Sequence, residues 1–308
     1  GDIIFILILT LFVAFLSIKY SNLVVKSFLF TVDTFVYILI PSLFMMLIIS
    51  KILQENKYIK KFIKFISPFF MKVFGFEVLD EVFVFLFSFL SGNPTSHILI
   101  NNLYKKNKIS KHEANRLSTS LCFSSFLYLY KSSIIFFKTD IWLIIIVTYI
   151  IPILFLIKPQ KKTEIEPLYF SDYPINLTNI INESFEILIK IFSFVFFFDI
   201  ITSFLVQFFN INQAYSFFLS NILDMTVATR LYFSFNPIIN IFLYCFFNAF
   251  LGISIHLQIM SVTNYLNYTS FLLKRTIIGL ISGIIVVILH YNYFLGFLII
   301  ITFYALKY

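Results

Sequence analysis

Apolar runs of bilayer length recur along this chain, and that recurrence restricts its fold more than any other feature. They occupy residues 3–18, 30–50, 82–104, 117–137, 141–157, 184–209, 214–234, 237–258, 270–290 and 291–306. About 20 apolar residues carry a helix across the hydrocarbon core. The chain is 60% hydrophobic and 12% charged with mean hydropathy +0.94, values that exclude a soluble domain and describe an integral membrane protein. The 44 Phe and 18 Tyr rise together with Ile, Asn and Lys while Ala and Gly fall. AT-biased coding does this, so the aromatics point to a low-GC bacterium and not to a site. The opening run has no basic segment before it and no A-x-A-like site after it. It reads as a span, not as a cleaved signal.

The net charge of +8 does not imply nucleic acid, because the lysines sit in short loops beside the spans. There they act as topology signals and contacts for anionic lipid. Lys57, Lys60, Lys61 and Lys64 share one helical face, which suggests a helix lying in the membrane interface. The loop 105–116 carries Lys105, Lys106, Lys108, Lys111 and Arg116 against Glu113. By the positive-inside rule both it and 51–64 are cytoplasmic. An even number of crossings must then separate them: a re-entrant hairpin over 65–104, or two full crossings. Lys158-Pro159-Gln160-Lys161-Lys162 returns to the same side. The polar stretch 158–183, with Pro159, Pro167 and Pro174, divides the chain into halves, 1–157 and 184–308. The second-half loop at 260–270 carries no charge. Five runs lie between it and 105–116, which puts the two loops on opposite sides and makes the halves an inverted repeat.

Two runs are broken by polar, helix-disrupting residues: Phe89-Leu90-Ser91-Gly92-Asn93-Pro94-Thr95-Ser96-His97 and Phe250-Leu251-Gly252-Ile253-Ser254-Ile255-His256. An offset of 159 superposes His97 on His256, Ile100 on Ile259, Ser110 on Thr269 and Arg116 on Arg275. Upstream, Val32-Asp33-Thr34-Phe35 resembles Asn182-Glu183-Ser184-Phe185 at an offset of 150. Paired breaks in corresponding positions point to a transporter-like site, since irregular backbone in a bilayer must be buried in protein or line a cavity. The candidate binding residues are Asn93, Thr95, Ser96 and His97 at the first break and Ser254, His256 and Gln258 at the second. The last three alternate, so they converge on one cavity only if the backbone at 252–258 is unwound. Asp224 and Thr226, with Arg230 close by, are further candidates because charge at membrane depth is costly; an internal Asp224–Arg230 pair is the competing reading. Asp199 with Lys190, and Ser124 with Ser125, are weaker ones; as ordinary interhelical hydrogen-bonders the two serines need no further explanation. Cys122 and Cys245 stand apart in apolar runs, so neither a disulfide framework nor a metal knuckle is indicated. No zincin spacing, phosphate-cradling loop or G-x-S-x-G elbow occurs, and no enzyme chemistry, metal or cofactor is expected.

Several of these motifs resemble a family. Ser91-Gly92-Asn93-Pro94, Asn102-Leu103-Tyr104 and Ile109-Ser110-Lys111-His112-Glu113-Ala114 are similar to the SGYP…LY…ISxxEA run of the YlbJ-type sporulation integral membrane proteins, in the nucleoside-recognition (Gate) superfamily. Ile40-Pro41-Ser42-Leu43-Phe44, Leu223-Asp224-Met225-Thr226 and Phe250–Gln258 resemble three further elements of that family, in the right order. Asn93 stands where the family has an aromatic, and Leu251 where it has the first of two glycines. The resemblance implies a polytopic protein linked to spore envelope maturation, with hairpins like those of concentrative nucleoside transporters. The expected architecture is therefore all-α, with two inverted repeats. The expected partners are a small polar solute, Na⁺ or a proton as coupling ion, the bilayer, and further copies of the chain. The competing expectation is a non-transporting scaffold or assembly factor of the spore envelope.

Overall fold

Proline inside a long apolar helix costs a backbone hydrogen bond and crowds the preceding turn. Pro41 shows how this chain accommodates one: the helix α1 (Ser21–Glu55) widens to π geometry over Phe35–Phe44 around it, a recognised way to relieve such crowding. The computed structural model describes residues 14–137, 140–158, 176–226 and 235–305, with Leu7 and Leu11. Most of the run 3–18, the prolines at 159, 167 and 174, and Arg230 lie outside the described residues.

Among the described residues the chain is all-helical. After α1 come α2 (Lys57–Phe74), α3 (Leu79–Ser91), α4 (Thr95–Lys105), α5 (Lys111–Ser120), α6 (Phe126–Phe136) and α7 (Ile141–Leu156). Then follow α8 (Leu177–Phe208), α9 (Gln213–Leu223), α10 (Pro237–Phe250), α11 (Gly252–Val262), α12 (Tyr268–Tyr291) and α13 (Tyr293–Ala305). Four segments are long and apolar enough to cross a bilayer: α1, α8, α10 with α11, and α12. Their outward stripes are apolar. On α12, Leu273, Ile277, Leu280 and Ile284 are exposed while Arg275 and Ser282 are buried, as expected of a helix with lipid on one side and protein on the other. The lysine-bearing helix α2 also exposes Phe62, Phe65 and Phe69, the amphipathic character expected of its sequence.

The first break yields two short helices, α3 of 13 residues and α4 of 11. At 1.5 Å per residue they span roughly 20 and 16 Å, less than the ~30 Å hydrocarbon core, and they pack against each other. The second break is different: only Leu251 interrupts α10 and α11. Residues 252–258, whose convergence required unwound backbone, are helical. The run 117–137, read from sequence as one span, is interrupted at residues 121–125 between α5 and α6. Serines at 120, 124 and 125 favour such interruptions by competing for backbone groups. Here the unwound backbone has a definite partner: Asn93 donates its backbone N–H (3.1 Å) and its side-chain amide (2.9 Å) to the carbonyl of Phe123.

Two arginines tie helix ends together. Arg116 on α5 donates to the carbonyls of Phe74 and Leu156, the last residues of α2 and α7. Arg275 on α12, fully buried, donates to those of Thr119 (3.1 Å) and Ala249, in the final turns of α5 and α10. The last carbonyls of a helix have no intrahelical partner and carry partial negative charge. A guanidinium fork can serve two such ends at once.

Arg116 also grips Glu113 through Nε and Nη2, and Lys158 adds ion pairs to Glu113 (2.7 Å) and Glu77 (2.9 Å). Beside them Glu81 reaches back from the first turn of α3 to accept the backbone N–H groups of Val78 (3.0 Å) and Glu77. Burial, and then the charge of Glu113, push the Glu81 carboxyl well above the ordinary carboxylate range. Burial also acts on Glu113, but the hydrogen bonds and charge of Arg116 outweigh it and hold that carboxyl low. Of the two carboxyls, Glu81 is the one that favours its proton. A carboxyl whose folded pKa is raised contributes its stability fully below the unfolded value, about 4.3, and loses it as pH rises through the folded value. Glu81→Gln removes that loss. Its melting temperature is expected to equal or exceed the parent's at pH 7.5, by a margin that widens as pH rises. Parallel pH–melting curves would show that Glu81 ionises like a surface carboxylate.

Candidate functional site

Four interruptions of helix meet in one place. Gly92 adopts φ +64°, ψ −159° to end α3, and the Asn93–Pro94 peptide is cis. A Cβ on Gly92 would lie 2.6 Å from the backbone nitrogen of Ser125, so the first break rests directly on the unwound segment 121–125. Gly252, with φ +80°, lies equally close to the end of α9: a Cβ there would meet Asn221 O, Asp224 Cα and Met225 N at 3.2 Å. Met225 in turn contacts Ser124, whose hydroxyl lies 3.9 Å from its sulfur. The segments 92–94, 121–125, 224–226 and 251–252 thus form one junction. It is closed on the side of α4 and α11, which pack against each other.

At this junction lies a small cavity of about 40 Å³. Its polar lining is Asn93, Ser124, Ser125, Asp224, Thr226 and Gln258, and the π-wound part of α1 together with α8 supplies its apolar wall. Asp224 is fully buried and accepts both the backbone N–H (2.8 Å) and the hydroxyl of Thr226 on Oδ1. This local turn, favoured by Asp and Thr side chains, holds the carboxylate at the end of α9. Asn93 points its amide at Phe123 O and its oxygen at Ser96 (3.3 Å). Gln258 donates to Ser254 at 3.4 Å, so Ser254 supports a lining residue without lining the cavity itself.

No protein-family model, curated protein or solved structure matches this chain.

Of the residues singled out from sequence, the structure gathers Asn93, Asp224, Thr226 and Gln258, along with Ser124 and Ser125. The two histidines face elsewhere. His97, fully buried on α4, bonds through Nε2 to Ser118 O (3.0 Å) and through Nδ1 to Ser96 (3.2 Å). His256 bonds through Nε2 to Phe250 O (2.8 Å), and its ring packs edge-on against Phe250 and Phe271. A carbonyl can only accept, so in each ring Nε2 carries the proton. Both rings lie near the Arg275 guanidinium, and their role is to tie helix ends beside the breaks. Thr95 faces a second, larger cavity on the other side of α4. Asp199 is buried on α8, outside both cavities.

Arg275 is a central residue outside the candidate binding set. Its sequence signal is an arginine within the first two turns of the run 270–290, beside Lys274, where charge needs a reason. Each polar group of the small cavity except Asp224 is neutral, which suits hydrogen bonding to a solute or inner-shell contact to a monovalent cation through oxygen.

Proposed function

We propose that the chain is a membrane transporter of a small polar solute, nucleoside-like in its demand for hydrogen bonds, working in a bacterial cytoplasmic membrane. The observation that carries this reading is the convergence of three helix interruptions, at Asn93, 123–125 and 224–226, on one small, largely apolar cavity that places Asn93, Asp224, Thr226 and Gln258 together. Exposed backbone at membrane depth is tolerated where it lines such a cavity, and broken helices are the binding elements of many transporters. A volume of about 40 Å³ is close to that of one or two waters, roughly 30 Å³ each. On this reading a solute enters only when the breaks move apart.

On this reading the two halves are an inverted repeat: among the described residues α3 with α4 corresponds to α10 with α11, and α5 to α12. Arg116 and Arg275, which share the offset of the two histidines, perform the same task of holding paired helix ends. The short α3–α4 pair fits a re-entrant hairpin better than two crossings. The motif resemblance to the YlbJ-type proteins supplies the sporulation setting, and Asp224 is the residue to hold a coupling Na⁺ or proton.

The test is uptake by proteoliposomes and thermal stability of the purified protein against nucleosides, other polar solutes, Na⁺ and pH. A saturable, solute-specific rise in melting temperature is expected, lost in Asn93→Ala/Ser254→Ala and accompanied by uptake that Asp224→Asn abolishes. No shift across the panel and no uptake, with the double variant as stable as the parent, would make the chain a scaffold of the membrane.

A further inference from the structure

The second cavity is much larger, about 690 Å³, within the range of sites that hold small molecules. It lies between the C-terminal end of α1, the N-terminal half of α8, and one face of α4. That face presents Thr95, Ile98, Leu99 and Asn102, the i, i+3, i+4, i+7 pattern of a single helical stripe. From Asn102 to Thr95 the helix descends roughly 10 Å, from the end that carries the basic loop 105–116 to the first break. Asn93, two residues before Thr95, lines the small cavity. The first turn of α4 is thus the partition between a wide vestibule and the closed junction.

The vestibule's chemistry is lopsided. Its walls carry three carboxylates, Glu55, Glu183 and Glu186, against two ammonium groups, Lys51 and Lys190. Lys51 pairs with Glu183 at 2.6 Å, which leaves two carboxylates, Glu55 and Glu186, against Lys190 in the lining's charge balance. Several groups here lack partners among the described residues: Glu55 Oε2, Gln54 Nε2 and, at the floor, Thr95 Oγ1. Thr95 is only 4% exposed. A buried polar atom without a partner is costly, and two of these three atoms are acceptors or can act as acceptors. Beyond the Lys51–Glu183 pair the lining carries two carboxylates against one ammonium group, an excess of negative charge that a cationic donor would offset.

We propose that this vestibule binds a small amine-bearing solute, its ammonium group held by Glu55 and Glu186 and its far end meeting Thr95. Lys190 adds a counter-charge for solutes that are zwitterions. As the substrate class of the path leading to the junction, this assignment rests on the transport reading; as a binding site it stands on its own lining.

The experiment uses the full chain in detergent with Asn102→Cys at the exposed rim and Thr95→Cys at the floor as reporters, since Cys122 and Cys245 are both buried. Labelling by the cationic 2-aminoethyl methanethiosulfonate is expected to outrun the anionic 2-sulfonatoethyl reagent by roughly tenfold, because charged clefts concentrate counter-ions to that degree or more. Glu55→Gln/Glu186→Gln, with an unchanged melting temperature, is expected to collapse that ratio. L-lysine and putrescine are expected to slow labelling; acetate and uridine are not. Asn102→Cys at the rim gives the same readout if the Thr95 variant does not fold. An anion preference, a ratio indifferent to the double variant, or protection by uridine without protection by the amines would overturn the assignment, the last while leaving transport intact. Amine protection with no uptake of any solute into liposomes would support the site and instead sink the transport reading.

Discussion

Gly92→Ala is expected to destabilise the protein by at least about 3 kcal/mol and to abolish any uptake. Two independent costs add at this position. The backbone there, φ +64° and ψ −159°, falls in a region that only glycine occupies readily, and forcing another residue into it costs on the order of 1–3 kcal/mol. The added methyl would also stand 2.6 Å from the nitrogen of Ser125 and 3.2 Å from the carbonyl carbon of Ser124. Those are backbone atoms, so nothing as cheap as a rotamer change relieves the contact, and the segment 121–125 must move. That segment carries the Phe123 carbonyl held by Asn93 and two hydroxyls of the small cavity. Gly252→Ala is the internal comparison. Its φ of +80° is also unfavourable, but its new contacts would all lie at 3.2 Å, and a smaller loss is expected. Thermal unfolding of both variants in one detergent ranks them. Gly92→Ala as stable as the parent, or less damaging than Gly252→Ala, would mean that the first break is not seated on 121–125.

The sequence made the helical architecture legible because apolar length is a direct physical requirement of a bilayer, and the runs at 184–209, 237–258 and 270–290 became helices almost where they stand. It located both breaks for the same reason: Gly92 with Pro94, and Gly252, cannot continue an apolar helix without leaving backbone groups to be satisfied. Less visible was how far each break extends. At the second, two residues with positive φ, Leu251 and Gly252, suffice, and Ser254, His256 and Gln258 return to a helix, so their alternation separates them instead of joining them. The interruption at 121–125 carries no glycine or proline. Its local mark is only the weak one of Ser120, Ser124 and Ser125; the bonds of Asn93 to the Phe123 carbonyl come from thirty residues away and leave none. Polarity also identified residues better than it identified their tasks. His97 and His256 read as binding groups, yet each spends its Nε2 proton on a helix-end carbonyl. The vestibule was hidden because Gln54, Glu55, Asn179 and Glu186 look like ordinary polar ends of spans; only the packing of α1 beside α8 turns them toward one space.

Replacing Arg275 by methionine is expected to cost on the order of 3–5 kcal/mol, the range seen when one side of a buried charged contact is removed. Two effects oppose each other. Burying a guanidinium is itself expensive, so deleting it removes a penalty. Against this, the carbonyls of Thr119 and Ala249 would lose their donor in a fully buried place, at about 1–3 kcal/mol each. Each also stands at the negative end of a helix. The second effect wins because methionine fills much of the volume but offers no donor, and water has little room to replace it. Arg275→Lys separates charge from shape: it keeps the charge but cannot fork to two carbonyls, so its stability should fall between those of parent and methionine variant. In melting temperature the methionine change corresponds to a fall of roughly 5–10 °C. Because Arg275 joins the ends of α5 and α10 next to Leu251, its loss should also raise proteolysis near the second break. A methionine variant as stable as the parent would show that those two helix ends are held by other contacts.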